Sequence, residues 1–295
     1  MQLDTFKIFC DLVETGSFSQ AAARNDITQS AVSQQIRVLE GKFESSFFER
    51  GGKKFAVTPE GQIFDQAARE ILAIYQSIGS RLHELHDVVS GPLRVSTVYS
   101  IGFYDLPAHL DLFRRQNPEV EVVVEYRRSA AVYEDVTEGR ADLGLVPYPL
   151  RGKGIIADIF DEDEMVVICQ PNHRLAKAKR IRLDELHGEK FVAFQPDTPT
   201  RRAVDRALRE HGVNFAQQHE LDTIETVKRA VQVTDVVSIV PRRSVQPELE
   251  NGRLCAAAIA DVDLRRPLGI LRRQARVTTP AMREFMRVLL DAART

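Results

Sequence analysis

The chain has 295 residues, of which 43% are hydrophobic, and its 40 Lys and Arg against 42 Asp and Glu give a net charge of −2. This length exceeds what one hydrophobic core usually serves, so we expect two or three domains in a protein of ordinary soluble composition. The first 60 residues hold seven Lys and Arg against eight Asp and Glu, so bulk charge does not indicate nucleic acid, and such a role must rest on local placement.

Localisation is predicted from three further features. No apolar run is long enough to span a bilayer, and Asp4 and Lys7 interrupt the N-terminal apolar residues, which argues against a signal peptide and a membrane partner. The three cysteines lie far apart in apolar runs, a pattern typical of buried free thiols in a reducing compartment: Cys10, Cys169 and Cys255. A cytoplasmic location follows.

Residues 2–15 and then 17–40, SFSQAAARNDITQSAVSQQIRVLE, predict three short helices with a tight turn before the last one. Ser17 and Thr28 are good N-cap residues for the second and third helices. Apolar residues of the third helix face inward, and its opposite face is polar, with Gln29, Ser30, Ser33, Gln34 and Arg37. Gln and Ser on one helix face suit the reading of base edges in a major groove. The alternative is an ordinary solvated helix face.

A β-hairpin is predicted next, from residues 47–50 and 54–58 around a Gly-centred turn. Its tip carries three cations: Arg50, Lys53 and Lys54. This arrangement is typical of a wing that meets phosphate or the minor groove beside a recognition helix. The alternative is a solvated hairpin tip.

A long helix is predicted over residues 59–89, since Thr58 is a good cap and Pro59 suits the first helical position. Apolar residues alternate in steps of four and three: Phe64, Ala68, Ile71, Tyr75, Ile78, Leu82 and Leu85. This heptad seam indicates a two-stranded coiled coil and therefore a homodimer. The alternative is a long helix packed on its own domain. The pair His83 and His86 lacks the acidic or Cys company of a metal site.

Beyond a candidate hinge at residues 90–92, short Val- and Ile-rich runs alternate with helical stretches. The runs are 93–97, 120–126, 141–146, 165–170, 190–194 and 236–240, and the helices are 103–116, 131–138, 200–211, 223–231 and 280–293. This alternation predicts an α/β domain with a mainly parallel sheet, and its length allows two lobes.

Ligands of open α/β sheets bind beyond the carboxyl ends of the strands. In this chain the predicted strand ends carry hydroxyl side chains, arginines and the free N–H groups of helix starts. The candidate ligand-binding residues are Ser100, Ser129, Pro147, Tyr148, Thr198 and Thr200, which suggest a small carboxylate or other anion. The alternative is that these hydroxyls merely cap helices and loops. The acidic run 161–164 is expected to be a solvated crossover between lobes, and no motif indicates a catalytic residue, a metal or a cofactor.

Six motifs are distinctive along the chain: AAA, TQSAVSQQIRVLE, FFER and VTPEG in the N-terminal region, then GPLRVST and ADLGLV. In these motifs the chain resembles the LysR-type transcriptional regulators. The resemblance implies an N-terminal all-α winged helix-turn-helix (1–58), a linker helix (59–89), a hinge (90–92) and a two-lobed effector domain like a periplasmic binding protein (93–295). Lobe I would comprise about 93–162 and 266–295, and lobe II about 163–265.

The resemblance also implies a regulator of transcription that binds an inverted repeat in double-stranded DNA and responds to a small-molecule effector. Gln29, Ser30, Ser33 and Gln34 would meet bases, and Arg37, Arg50, Lys53 and Lys54 would mostly meet phosphates. By position, Ser100 and Ser129 would be ligand-binding hydroxyls. Dimers would pair into a homotetramer, and RNA polymerase is a further candidate partner. Two alternatives stay open: a solute-binding protein without DNA binding, and an enzyme.

Overall fold

The computed structural model describes residues 2–49, 55–84, 88–152, 154–274 and 277–292. The helices of this part are α1 Leu3–Thr15, α2 Phe18–Arg24, α3 Gln29–Phe43, α4 Pro59–Glu84, α5 Leu106–Gln116, α6 Ser129–Thr137, α7 Pro199–Glu210, α8 Ile224–Val233, α9 Gln246–Glu250 and α10 Pro280–Ala292. The strands are β1 Gly91–Val98, β2 Val120–Arg127, β3 Leu143–Pro147, β4 Ile155–Cys169, β5 Arg180–Ile181, β6 Lys190–Phe194, β7 Ala216–Leu221, β8 Ser238–Pro241, β9 Cys255–Ile259 and β10 Arg265–Arg273.

The N-terminal domain packs α1, α2, α3 and the start of α4 around an aromatic core. Phe9 is fully buried, and its ring centroid lies 5.4 Å from that of Phe47, 5.2 Å from Phe48 and 4.6 Å from Phe64. Such contacts add to the free energy gained by burying the rings. This arrangement confirms the predicted helix-turn-helix domain.

The base of the predicted hairpin is present. Phe48 and Val57 form an antiparallel bridge, the Glu49 N–H donates to the Ala56 carbonyl at 3.0 Å, and Thr58 N–H donates to the Phe47 carbonyl at 3.0 Å. The tip, with Arg50, Lys53 and Lys54, lies outside the described residues.

Helix α4 begins where the sequence predicts. The Thr58 hydroxyl accepts the Gly61 N–H at 3.0 Å and donates to the Ser46 carbonyl at 2.7 Å, which caps the helix and ties it to the hairpin. Position 61 requires glycine, because a Cβ there would stand 2.3 Å from the Phe47 carbonyl oxygen.

An eight-stranded sheet joins the two lobes of the C-terminal region, in the order β2-β1-β3-β10-β4-β9-β5 with β8 also paired to β4. Strand β4 belongs to both lobes: residues 155–164 pair with β10 in lobe I, and residues 165–169 pair with β8 and β9 in lobe II. Strands β6 and β7 form a separate parallel pair. The predicted α/β two-lobed architecture is confirmed.

The prediction of a mainly parallel sheet is wrong. Strands β4 and β10 are the two crossings between the lobes, and they run antiparallel to each other and to their neighbours β3, β8 and β9. The prediction also missed β5, β7, β9, β10 and the first ten residues of β4, whose charged or short sequences hide the alternation of a strand.

Candidate functional site

The exposed face of α3 carries the polar residues that the sequence analysis assigns to DNA. Its underside is buried through Val32, Ile36 and Leu39, and the Thr28 hydroxyl caps the helix by accepting the Ala31 N–H at 3.2 Å. This anchoring turns the opposite face outward, where Gln29, Ser30, Gln34 and Arg37 are exposed and Ser33 is half-buried. Among the described residues Arg37 makes no ion pair, so its guanidinium is open to a phosphate.

Helix α4 divides the predicted seam into two parts. Phe64 and Ala68 are 8% and 0% exposed because they pack in the aromatic core of their own domain, so they are not available to a partner helix, which corrects their assignment to the seam. Further along, the helix presents apolar side chains to solvent, each at least 40% exposed: Ile71, Ile74, Tyr75, Ile78 and Leu82. Leu85 lies outside the described residues.

A cavity of about 240 Å³ lies between the two lobes. Five of the six predicted ligand-binding residues line it together: Ser100, Ser129, Pro147, Thr198 and Thr200. Side chains from the ends of β2, β6 and β10 complete the wall, among them Arg127, Arg128, Phe194 and Arg266. A few polar groups converging in a mostly apolar pocket are typical of a small-molecule site.

The prediction that Tyr148, the sixth residue, binds the ligand is wrong, because Tyr148 does not line the cavity. Pro147 lines the cavity but Tyr148, whose backbone has a φ of 49°, does not. Its hydroxyl donates to the Arg265 carbonyl at 3.2 Å, and burial raises the pKa of the phenol to about 12. Tyr148 therefore stabilises the start of β10 instead of contacting the cavity.

The hydroxyls of the cavity differ in what they already bind. Thr198, and not Thr200, caps α7: its hydroxyl accepts the Arg201 N–H at 3.2 Å and donates to the Gln195 carbonyl at 2.9 Å. Ser100 and Ser129 make no side-chain capping bond to the helices that begin beside them. The capping alternative thus accounts for Thr198, whereas the hydroxyls of Ser100 and Ser129 do not serve that purpose.

Four helical segments begin at this cavity, two from each lobe. They start at Ile101, Ser129, Pro199 and Ile224, and the residues at each start line the wall. The N-termini of α7 and α8 are capped by the side chains of Thr198 and Thr223. The two in lobe I, at the π-helical turn Ile101–Asp105 that leads into α5 and at α6, have no side-chain cap. A helix N-terminus carries a positive partial charge and unpaired N–H groups, so the two lobe I termini favour an anion.

A network of charged side chains lies at the crossing strands beside the cavity, with Asp105 and Asp163 buried and Arg243 exposed. Arg243 donates to Asp105 at 3.1 Å and to Asp161 at 3.1 Å, and its backbone N–H donates to Asp163 at 3.2 Å. The acidic run 161–164 lies where β4 crosses between the lobes, as predicted, but it is not solvated throughout. Asp163 is only 4% exposed, and Asp161 and Glu164 are half-buried and paired with arginines. Burial raises the pKa of Asp105, and burial together with the charge of Asp105 raises the pKa of Asp163 to about 6.

Arg266 of β10 is a candidate site residue that the sequence did not predict. It is 2% exposed, lines the cavity, and donates from Nη2 to the Ser100 hydroxyl at 2.6 Å. Burial lowers the pKa of its guanidinium, and the nearby carboxylates of Asp105 and Asp163 oppose that effect. Its sequence context, RRPLGILRR, offers no signal that one arginine of the pair is buried.

A second polar contact joins the lobes at Lys228 of α8, which is 3% exposed. Its ammonium donates to the Tyr104 hydroxyl of lobe I at 2.5 Å and to the Ser244 carbonyl at 3.0 Å, and it pairs with Glu248 at 3.1 Å. Tyr104 in turn donates to Glu225. The cleft is thus held by contacts at its rim as well as at the crossing strands.

In the described ranges, no group of three or more His, Cys, Asp or Glu side chains is arranged to hold a metal ion. None of the helices in the same ranges is both long enough and apolar enough to cross a bilayer.

Two families match the chain. The family described as "Bacterial regulatory helix-turn-helix protein, lysR family" matches residues 3–62, and the one described as "LysR substrate binding domain" matches residues 86–294. A "Probable RuBisCO transcriptional regulator" of Cyanophora paradoxa is 29% identical over 295 residues, which is 98% of this chain and 91% of that protein.

Solved structures of similar fold cover the full length. A full-length variant of OxyR from Pseudomonas aeruginosa is similar with a TM-score of 0.79 at 20% identity, over 100% of this chain and 95% of that one. Full-length CbnR in complex with its target DNA is similar with a TM-score of 0.70 at 19% identity, over 99% of this chain and 100% of that one.

Proposed function

Because the chain belongs to the LysR family of transcriptional regulators, we propose that it binds an inverted repeat in DNA as a dimer and responds to a small anion bound between its lobes. The chain is a DNA-binding regulator with an effector-binding domain, and specific residues can be assigned to DNA contact, dimer formation and effector binding. The proposed anionic effector rests on one observation: the cavity that five predicted residues line is also where four helical segments begin and where three arginines lie.

We assign base contacts to Gln29, Ser30, Ser33 and Gln34, and phosphate contacts to Arg37 and to the wing residues Arg50, Lys53 and Lys54. Gln34→Ala and Gln29→Ala are each expected to cost about 1–3 kcal/mol of binding free energy at the correct site and little on unrelated DNA. Gln246→Ala, an exposed glutamine in lobe II, is the matched control. Electrophoretic mobility shifts with cognate and scrambled duplexes measure both; equal losses on both duplexes would contradict base reading.

The wing makes a different prediction. Lys53→Ala is expected to weaken binding to all sequences about equally and to flatten the dependence of affinity on salt, because a phosphate contact carries no sequence information. A change in the preferred sequence would show that the wing reads bases.

We assign the dimer interface to the exposed apolar face of α4. Ile78→Glu places a charge in that face and is expected to split the dimer, whereas Gln66→Glu, on an exposed polar position of the same helix, is not. Native mass spectrometry and light scattering report the assembly, and a dimer that survives Ile78→Glu would place the interface elsewhere. The same measurement tests the tetramer that family membership suggests.

The effector is proposed to be a small organic or inorganic anion. Native mass spectrometry of the freshly purified protein, with and without mild activation, detects any retained low-mass anion and begins to identify it. Incubation with a bound compound, followed by analysis of the products, distinguishes a ligand sensor from an enzyme. Turnover of the compound would favour an enzyme, and an unchanged compound favours a sensor. A regulator of this kind acts on DNA, so we place it in the cytoplasm, with RNA polymerase as a candidate partner for a pull-down on promoter DNA.

A further inference from the structure

Arg266 is buried beside the cavity with most of its hydrogen-bonding capacity unused. A guanidinium has five N–H donors. Within the described part of the chain Arg266 makes one hydrogen bond, from Nη2 to the Ser100 hydroxyl, and its Nε is buried with no partner. It also makes no ion pair there, although a buried arginine is normally paired. Its neighbour Arg265 points to the other face of β10 and is exposed.

The nearby carboxylates do not explain this arginine, because they already bind Arg243. That residue contacts Asp105 and Asp161 through its guanidinium and Asp163 through its backbone N–H. Asp163 is the cross-strand partner of Arg266, so its charge acts on Arg266 without a direct contact. The guanidinium is therefore held in place by its charged surroundings while its remaining donors are left for another group.

The lining of the cavity indicates the kind of group that these donors would bind. The planar fork of an arginine matches a carboxylate or a phosphate with two parallel hydrogen bonds. The Ser100 hydroxyl stands beside it, and the helical segment that begins at Ile101 adds N–H groups. Apolar residues complete the nearby wall, including Val98, Pro147 and Pro241. A small molecule with one acidic group and a short apolar portion would fit both the polar side formed by Arg266 and Ser100 and the apolar wall.

We infer that Arg266 is the anchor that decides which ligands enter this cleft: with Ser100, it binds the acidic group of a small organic acid and rejects neutral analogues. This inference rests on the proposed anionic effector and goes further by naming the residue and the ligand class. A site built to pair with a charge discriminates strongly against a molecule without one, because the buried guanidinium is then left unpaired.

The test uses the full-length protein and a defined set of probes. These are sodium acetate, pyruvate, malate, succinate, 2-oxoglutarate and inorganic phosphate, each compared with sodium chloride at the same ionic strength and each organic acid with its amide. Thermal shift finds the binding probes, and calorimetry gives their Kd. The variants are Arg266→Gln, Arg266→Lys and Ser100→Ala, with Arg265→Gln as the matched control on the adjacent, outward position.

The inference expects an acid that stabilises the wild type while its amide does not. Arg266→Gln should raise the Kd of that acid by about tenfold or more, Arg266→Lys should raise it less, and Arg265→Gln should leave it unchanged. If Arg266→Gln does not fold, Arg266→Lys and Ser100→Ala still decide the question, since both keep a charge at position 266 and both should weaken the acid.

Three results would overturn the inference in whole or in part, and each removes a different element of it. An acid that binds Arg266→Gln, or both Arg266→Lys and Ser100→Ala, as tightly as the wild type would remove Arg266 as anchor and leave the proposed anionic effector intact. Stabilisation of the wild type by no acid and not by phosphate, or by amides as well as acids, would remove the anionic effector itself. Phosphate binding without any carboxylate would keep Arg266 as the anchor but overturn the organic acid as its ligand.

Discussion

In the N-terminal domain the α3 side chains assigned to DNA lie on the outer side of an apolar core, whereas in the effector domain the side chains assigned to the ligand line a cleft between the lobes, beside buried charges. The first domain holds its recognition helix with Val32, Ile36, Leu39 and a cluster of phenylalanines. The second positions its cavity with arginine, lysine and aspartate residues that are less than a tenth exposed. Packing alone therefore orients one site, while the other requires that buried polar groups find partners.

The largest expected effect concerns the apolar side of this comparison. Phe9→Ala removes the ring that contacts Phe47, Phe48 and Phe64, and is expected to lower the free energy of unfolding of the N-terminal domain by about 3–5 kcal/mol. Chemical denaturation and DNA binding measure the loss, with exposed Val38→Ala as the control. A loss below about 1 kcal/mol would show that packing of this core does not hold the recognition helix.

The polar side is tested at Lys228. Lys228→Met keeps the apolar bulk but leaves Glu248, whose Oε2 is already buried without a partner, next to no cation. We expect a loss of about 2–4 kcal/mol in the free energy of unfolding of the effector domain. Lys177→Met, at an exposed lysine of the same lobe, should change it by less than about 0.5 kcal/mol. Equal effects of the two variants would make the buried contact between the lobes dispensable.

Asp163 sharpens the comparison through pH, because the native environment raises its pKa from 3.8 to about 6. Between these values the native protein holds a proton that the unfolded chain has released, so the contribution of this residue to stability grows as pH falls from about 6 to 4 and is lost above about 6. Burial is the main cause, the charge of Asp105 adds to it, and Arg243 and Arg266 oppose it.

Asp163→Asn should remove this dependence, because its amide oxygen accepts the same Arg243 N–H and does not ionise. We expect the variant to be more stable than the wild type at pH 8 by on the order of 2 kcal/mol, with little difference near pH 4. Urea denaturation at a series of pH values measures the difference. A stability difference that does not change with pH would show that Asp163 does not titrate in this range.

The smallest effect is expected at the junction of the two regions, where Glu70 of α4 pairs with Arg273 of β10 at 2.7 Å. Glu70 is 42% exposed, so Glu70→Gln should cost less than about 1 kcal/mol. Thermal unfolding in low and high salt measures the change in stability. A large loss would mean that this ion pair is a main contribution to the packing of α4 against lobe I.

Sequence pattern sufficed where one face of an element is apolar and the other is not. Helix α3 and its polar face follow from the spacing of Val32, Ile36 and Leu39, and the hydroxyls around the cleft follow from the ends of the strands. Arg266 could not be found that way, since a buried arginine and its exposed neighbour Arg265 read alike. The position of Tyr148 could not be predicted either, because its hydroxyl donates to the Arg265 carbonyl, which is far away in the sequence.

Because β4 belongs to both lobes and β10 closes lobe I, the lobes are completed in an unexpected order as the protein is synthesised. Strand β3 emerges early, but its partner β10 follows all of lobe II, so lobe I keeps an open sheet edge until then. Open edges are where nascent chains pair wrongly, and chaperones act at that stage. Lobe I, which is synthesised first, is thus the last to be completed. A chain that ends before Arg265 lacks β10 and therefore has an incomplete lobe I.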